Sequence, residues 1–271
     1  MIIKEYHSSD PNLAIIKGKI AQLENPKLNN LYLDFNAALY QVLKPQITTE
    51  SALIANTLGY LDTLVKIVAP VNLLYLALDG VPCRAKIEQQ RMRRFHSVNK
   101  KNRAANLNRQ YGDLTDNRQN FHLDTNMISP GTAFMSDLAK ALKDHVANHE
   151  IYQHVNKIVI TDSSIPNEGE HKIMKYIKEN SVDGDLVNTF IYGLDADLIF
   201  LSMASHQPNI FLLREAAQFG QFAELYSGIP FLFLEIDNLI TLSSSISKLI
   251  LGKILLIILN LTDLLMTISF S

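Results

Sequence analysis

The chain has 271 residues, of which 47% are apolar and 19% charged, and its formal net charge is -2 at pH 7. This length and composition suffice for one large domain or two small ones and exclude a chain that is disordered throughout. The single cysteine, Cys83, cannot form an internal disulfide, and the first residues lack the pattern of a secretory signal peptide. We therefore expect an intracellular protein, cytoplasmic or nuclear, with no membrane partner.

Five short apolar runs rich in β-forming residues alternate with helical patterns along the chain. Apolar spacing predicts helices over residues 51–67 and 170–179, and a third helix that is capped and opened by Ser129 and Pro130. This alternation predicts an α/β fold, with a mostly parallel sheet that is covered by helices on both faces. The predicted strands are residues 28–35, 72–79, 156–162, 189–195 and 209–214.

Acidic residues stand at or just beyond the C-terminal ends of four predicted strands. They are Asp34, Asp79, the pair Glu168 and Glu170, and the pair Asp195 and Asp197. In an open parallel sheet, ligands bind in the crevice outside these strand ends, so the carboxylates are expected to meet there. Asp162 also follows a strand, but Asp-Ser-Ser is equally typical of a turn.

Carboxylates that crowd together repel one another unless a cation lies among them. Hard oxygen ligands without a cysteine or histidine cluster select Mg²⁺ or Mn²⁺, and this set has enough acids for two ions. The histidines other than His171 show no zinc-type spacing. The acids therefore predict metal-assisted transfer of a phosphoryl group to water.

A basic stretch follows Asp79 directly. Residues 84–118 contain ten Lys or Arg and three acids, so they carry +7 while the rest of the chain carries -9. Spacing of i, i+4, i+7 and i+8 puts four side chains on one helical face, where they can bind a phosphate. A terminal phosphate there would make an exonuclease, and an internal one an endonuclease. The four residues are Lys86, Gln90, Arg93 and Arg94.

Several motifs together resemble the XRN family of 5′→3′ exoribonucleases. They are NLYLDFN (30–36), LALDGVPCRAKIEQQRMRRF (76–95), NMISPGTAFM (126–135), IPNEGEHKIMKYI (165–177) and IYGLDADLIFLSM (191–203). The resemblance implies a PIN-like, flap-endonuclease-like nuclease fold and degradation of single-stranded RNA that bears a 5′-monophosphate. It also implies that the six carboxylates are metal or catalytic ligands and that the four α-helical side chains form the 5′-phosphate pocket.

One position of the resemblance concerns base stacking. Tyr40 stands where the family tends to have a histidine that stacks on the first base, and a tyrosine ring can stack equally well. Tyr40 could as easily be a core residue. The chain has no tryptophan to match the family's second stacking residue.

We divide the chain into a nuclease domain (1–235), with a basic insertion at 96–125, and an atypical apolar tail (236–271). Residues 1–27 lack the family's usual opening, and of the 36 tail residues 18 are Leu or Ile. The tail could be a membrane anchor, an amphipathic core helix over 249–265, or a truncated or out-of-frame coding end. Because the family's last metal ligands are not matched, a binding module that grips RNA 5′ ends without cutting is the alternative function.

Overall fold

The computed structural model describes residues 3–6, 28–111, 123–180, 187–193, 195–215 and 231–245. Within these residues, seven strands form one sheet in the order β1-β7-β6-β5-β2-β3-β4. Strands β2 to β6 are parallel, whereas β7 runs antiparallel to β6 and to β1. The strands are β1 (Ile3–Tyr6), β2 (Asn30–Asp34), β3 (Leu73–Ala77), β4 (Lys157–Thr161), β5 (Thr189–Tyr192), β6 (Ile210–Glu215) and β7 (Phe231–Glu235).

The five predicted strands and their parallel arrangement are confirmed. The helices of the described ranges include α1 (Phe35–Val42), α2 (Glu50–Val68), α3 (Arg84–Tyr111), α4 (Ala133–Asn148), α5 (Gly169–Asn180) and α6 (Asp197–Ala204). Short 3₁₀ helices cover Thr125–Met127 and Glu150–Tyr152, and residues 236–245 are also helical. The helices predicted over 51–67 and 170–179 are therefore confirmed as α2 and α5.

The predicted start of α4 is wrong. The helix begins at Ala133, where the side chain of Thr132 accepts a hydrogen bond from the Met135 backbone N–H at 3.4 Å. Gly131 lies between Pro130 and this cap with a φ of +87°, and a left-handed residue cannot continue a right-handed helix. The hydroxyl of Ser129 instead donates to the carbonyl of Asn126 at 2.7 Å.

Helix α3 is longer than the basic motif that begins it. It runs unbroken through residues 96–111, the first part of the basic insertion that was predicted at 96–125. Residues 112–122 of that insertion lie outside the described residues. No helix in the described ranges has both the length and the apolar character needed to cross a membrane.

The sheet separates two apolar clusters, because side chains alternate between its faces. Leu31 and Leu33 pack with α1, α2 and α4 on one face, whereas Tyr32 packs with α5 and α6 on the other. The prediction of helices on both faces is confirmed. Ile236 is fully buried in the second cluster, so the packed core continues past residue 235. The rest of the tail, from residue 246 onward, lies outside the described residues, and so does the helix predicted over 249–265.

Candidate active site

The topology brings the predicted carboxylates to one edge of the sheet. From β2 the chain proceeds to β3 and β4 on one side, then crosses to β5 and β6 on the other side of β2. The crevice between β2 and β5, where this direction reverses, is where open α/β sheets bind ligands. Asp34 ends β2 and Asp195 follows β5, so both stand at this switch point.

A cavity of about 610 Å³ opens at this edge. Its wall includes four of the six predicted carboxylates and all four predicted phosphate-binding side chains. These residues are Asp34, Asp79, Glu168 and Asp195, with Lys86, Gln90, Arg93 and Arg94. The structure therefore brings residues from four strand ends and from α3 around one space.

Glu170 and Asp197 stand beside this cavity and do not line it. Glu170 lies in the first turn of α5 and is only 5% exposed, whereas Asp197 is the exposed first residue of α6. Both belong to the same electrostatic cluster, because Asp195 and Asp197 each raise the pKa of Glu170. The six acids thus form one centre, in which the two that do not line the cavity stand beside it, Glu170 buried and Asp197 exposed.

Hydrogen bonds hold Asp79 and Asp34 in place. The Asn36 side chain donates to Asp79 Oδ2 at 2.9 Å and accepts from the Asp79 backbone N–H at 3.2 Å. The Gly169 N–H donates to Asp79 Oδ1 at 2.6 Å, and the Asn36 N–H donates to Asp34 Oδ1 at 3.2 Å. A Cβ on Gly169 would stand 2.8 Å from Asp34 Oδ1 and 3.1 Å from the Ala77 carbonyl oxygen, so any larger residue where α5 begins would have to displace the Asp34 carboxylate.

The acids of the centre disfavour one another's ionisation. Burial, and next the charge of Asp79, raise the pKa of Asp34 well above its usual range. Burial is also the largest cause of the raised pKa of Asp79, and burial with the charges of Asp195 and Glu168 raises the pKa of Glu170 to about 7. Raised pKa values of this kind mean that ionising all the acids together is unfavourable when no cation lies among them.

The donor set fits a hard divalent cation. Within the described residues, Glu170 Oε2 is a buried atom with no hydrogen-bond partner, and a bound cation would satisfy it. Ligand atoms of Glu168, Glu170 and His171 lie within 4.8 Å of one another. The other acids of the centre offer carboxylate oxygens, which Mg²⁺ and Mn²⁺ prefer as ligands.

The cationic wall of the cavity meets the acidic one at Glu168. Lys86 Nζ lies 3.1 Å from Glu168 Oε1, and Gln90 Nε2 donates to the same oxygen at 3.5 Å. Partial burial lowers the pKa of Lys86, but the bond to Glu168 outweighs it and the net shift is upward. Arg94 donates to the Ser129 hydroxyl at 2.8 Å, which ties α3 to the loop on the far side of the cavity.

Tyr40 lines the cavity and is 49% exposed. It stands on α1, one turn and a half after Asp34, and partial burial together with the Asp79 charge raises the pKa of its hydroxyl. The ring is therefore accessible to a ligand in the cavity, as the stacking prediction requires, and the alternative of a core residue is wrong.

Asp162 stands apart from the centre. Lys143 and Ser164 bond its carboxylate, at 2.8 Å and 2.5 Å, and lower its pKa to about 2. It also accepts from the Ser164 backbone N–H, so it has the turn role that the sequence left open. Asp162 does not line the cavity.

Two buried residues of the site, Asn36 and Lys172, were not predicted from the sequence. Asn36 is 5% exposed and bridges Asp34 and Asp79, as described above. Lys172 is equally buried, and its ammonium donates to the carbonyls of Leu78 and Asp162 at 2.7 Å and 3.0 Å, behind the acids. Burial lowers the pKa of Lys172 while Asp79 opposes that shift. The sequence pattern that could have indicated both residues is a polar side chain on the buried face of a helix, α1 for Asn36 and α5 for Lys172.

Comparison with known proteins identifies the family of the chain. Residues 2–216 match the family model described as "XRN 5'-3' exonuclease N-terminus". The chain belongs to this family. The match begins at residue 2, so it includes the N-terminal segment in which the sequence analysis found no family motif.

Named relatives of the XRN family are similar over about 70% of the chain. A "5'-3' exoribonuclease 1" of Saccharomyces cerevisiae is 38% identical over 209 residues, which are 72% of this chain and 14% of the relative. A "5'-3' exoribonuclease 2" of Schizosaccharomyces pombe is 36% identical over 226 residues, 73% of this chain and 22% of the relative. The chain thus spans about a fifth or less of the length of these relatives.

Proposed function

We propose that this chain is the N-terminal catalytic part of a metal-dependent 5′→3′ exoribonuclease, which hydrolyses RNA bearing a 5′-monophosphate. The observation that carries the proposal is the cavity itself, where a wall of carboxylates faces a wall of cations from α3. A phosphate end and a scissile phosphodiester can occupy such a cavity together. Similarity to proteins named exoribonucleases supports the same reaction class. We also propose that the protein acts inside the cell, in the cytoplasm or the nucleus.

In the proposed reaction, Lys86, Gln90, Arg93 and Arg94 bind the 5′-phosphate. The two arginines can donate paired hydrogen bonds to its oxygens, and Lys86 acts as a point charge. Tyr40 stacks on a base near this end through its exposed ring. Binding a terminal phosphate at a fixed distance from the acids makes the enzyme an exonuclease, because an internal nucleotide cannot present that end.

The carboxylates would hold the metal ions, two of them if all six take part: Asp34, Asp79, Glu168, Glu170, Asp195 and Asp197. Bound Mg²⁺ or Mn²⁺ would lower the pKa of the attacking water and neutralise charge on the phosphodiester. Asn36 and the Gly169 N–H keep Asp79 aimed into the cavity, and Lys172 supports the strand ends behind it.

A comparison of two RNA ends tests the phosphate pocket. The purified chain should degrade single-stranded RNA with a 5′-monophosphate faster than the same RNA with a 5′-hydroxyl, and only with Mg²⁺ or Mn²⁺. Arg93→Ala should reduce this preference about 10- to 100-fold, the value of one or two hydrogen bonds to a charged group. Arg91→Ala is the matched control, because Arg91 is exposed on the same helix and does not line the cavity.

Equal rates on the two RNAs in the unchanged chain would contradict the pocket assignment. Asp195→Asn should abolish cleavage while leaving folding intact, since the side chain is exposed. Binding of 5′-monophosphate RNA without metal-dependent cleavage would favour the alternative function, a module that holds RNA ends.

A further inference from the structure

A second group of metal-binding side chains lies outside the acidic centre. His145 belongs to the last turn of α4, His149 caps the same helix, and Asp62 comes from the middle of α2. One ligand atom from each lies within 4.8 Å of the other two. Among the described residues, the only other such group is the one at Glu168, Glu170 and His171.

The three side chains are already oriented toward one another. His145 Nε2 is 2.8 Å from Asp62 Oδ1, and the centroids of the two imidazole rings are 4.0 Å apart. The histidines are four residues apart, so successive helical turns place them on one face. The spacing of the histidines in the sequence does not indicate this group, because the third side chain comes from α2, 83 residues before His145.

A buried tyrosine holds the aspartate in position. The hydroxyl of Tyr152 donates to Asp62 Oδ1 at 2.6 Å, and its side chain is 2% exposed. Carboxylates that ligate metals are commonly fixed by such an outer hydrogen bond. Asp62 and His145 are partly buried, whereas His149 is exposed, so the group is open to solvent on the side of His149.

We propose that Asp62, His145 and His149 form a binding site for a borderline divalent cation of the Zn²⁺ type. Two imidazoles and one carboxylate suit Zn²⁺, which takes nitrogen and oxygen donors in tetrahedral geometry, and water would be the fourth ligand. Mg²⁺ does not compete well, because it prefers oxygen ligands alone. His145 would exchange its hydrogen bond to Asp62 for the metal.

The site is separate from the acidic centre. None of its three side chains lines the cavity, and His149 stands eight residues before β4 begins, at the edge of the sheet where the strands start. The acids stand at the opposite edge, beyond the strand ends. A bound ion would cross-link α2 to the end of α4 and so stabilise the helical layer on that face.

Zinc and cobalt binding test the proposal directly. The full chain is titrated with Zn²⁺ and with Co²⁺ at about pH 7.5, in an excess of Mg²⁺ that occupies the carboxylate sites. We expect one Co²⁺ per chain with the visible absorption of a nitrogen-ligated ion, and a rise in the unfolding temperature with Zn²⁺. Neither readout depends on nuclease activity.

Three variants identify the ligands. His149→Ala should weaken binding by more than about 100-fold, beyond the range for loss of an outer hydrogen bond, and its exposed position leaves folding unaffected. Tyr152→Phe should weaken binding about 10-fold or more by freeing Asp62. His154→Ala, an exposed histidine outside the group, should bind as the unchanged chain does.

Equal Zn²⁺ affinity in His149→Ala and in the unchanged chain would overturn the proposal, because the ion would then lie elsewhere. Absence of a cobalt spectrum in the unchanged chain would overturn it too.

Discussion

Removal of one negative charge from the acidic centre should stabilise the metal-free protein. Glu170 has an ordinary pKa of 4.5, which burial and the charges of Asp195 and Glu168 raise to about 7 in the folded state. Between about pH 4.5 and about pH 7, the Glu170 carboxyl therefore keeps its proton in the folded protein and loses it in the unfolded chain. Stability from this group is fully present below the unfolded pKa and falls as the pH rises from about 4.5 through about 7.

The magnitude follows from the shift. A pKa that moves from 4.5 to about 7 corresponds to at most about 3 kcal/mol, and solvent around the neighbouring exposed acids reduces this to about 2 kcal/mol. Glu170→Gln mimics the protonated acid at every pH. We expect the variant to be about 2 kcal/mol more stable than the unchanged chain at about pH 8 in EDTA, and about equally stable at about pH 4.5.

The assay is urea unfolding with and without Mg²⁺ across this pH range. Mg²⁺ at about 100 times its dissociation constant should stabilise the unchanged chain by about 2.7 kcal/mol, and the variant, which lacks a ligand, by less. Glu179→Gln is the control, because it makes the same change on an exposed face of α5, where Lys175 lies 3.8 Å away. If Glu170→Gln and Glu179→Gln show the same pH dependence in EDTA, the charge-repulsion account of the centre is refuted.

Three further substitutions test packing, one beside the acidic centre and two on α2. Gly169→Ala should lower the free energy of unfolding by about 1–3 kcal/mol and abolish RNA cleavage, because the new Cβ would meet Asp34 Oδ1 at 2.8 Å and the Ala77 carbonyl at 3.1 Å. Gly59→Ala is the contrasting change. A Cβ there would have no atom within 4 Å, so the substitution should stabilise α2 by about 0.5–1 kcal/mol. Tyr60→Phe should cost about 1–3 kcal/mol in urea unfolding, since it removes a donor to the buried Glu215 carboxylate. A stable Gly169→Ala or an unchanged Tyr60→Phe would contradict these assignments.

The strands and most helices could be predicted because their signals are local. A buried parallel strand must be almost wholly apolar, and β3 is buried at every position. The acidic centre was predictable for a related reason: parallel strands end at one edge, so residues that follow them converge whatever their distance along the chain. The basic face of α3 depended only on helical periodicity, and the structure places its four side chains around the same cavity.

Other features depended on contacts between distant segments. The start of α4 was mispredicted because Gly131 takes a left-handed conformation, which the order Ser-Pro-Gly-Thr does not impose. The roles of Asn36 and Lys172 could not be predicted, because their hydrogen-bond partners lie in the loops beyond β3 and β4, which are distant from them in sequence or on another element. The Asp62, His145 and His149 group joins two helices that are far apart in sequence.

By itself, therefore, the sequence determined which residue types occur at the ends of which strands, because apolar runs and helical spacing are properties of neighbouring residues. The tertiary structure decided how those residues act on one another. Burial and mutual repulsion set the pKa values of Asp34, Asp79 and Glu170, and both effects depend on distances across the sheet that no local pattern contains.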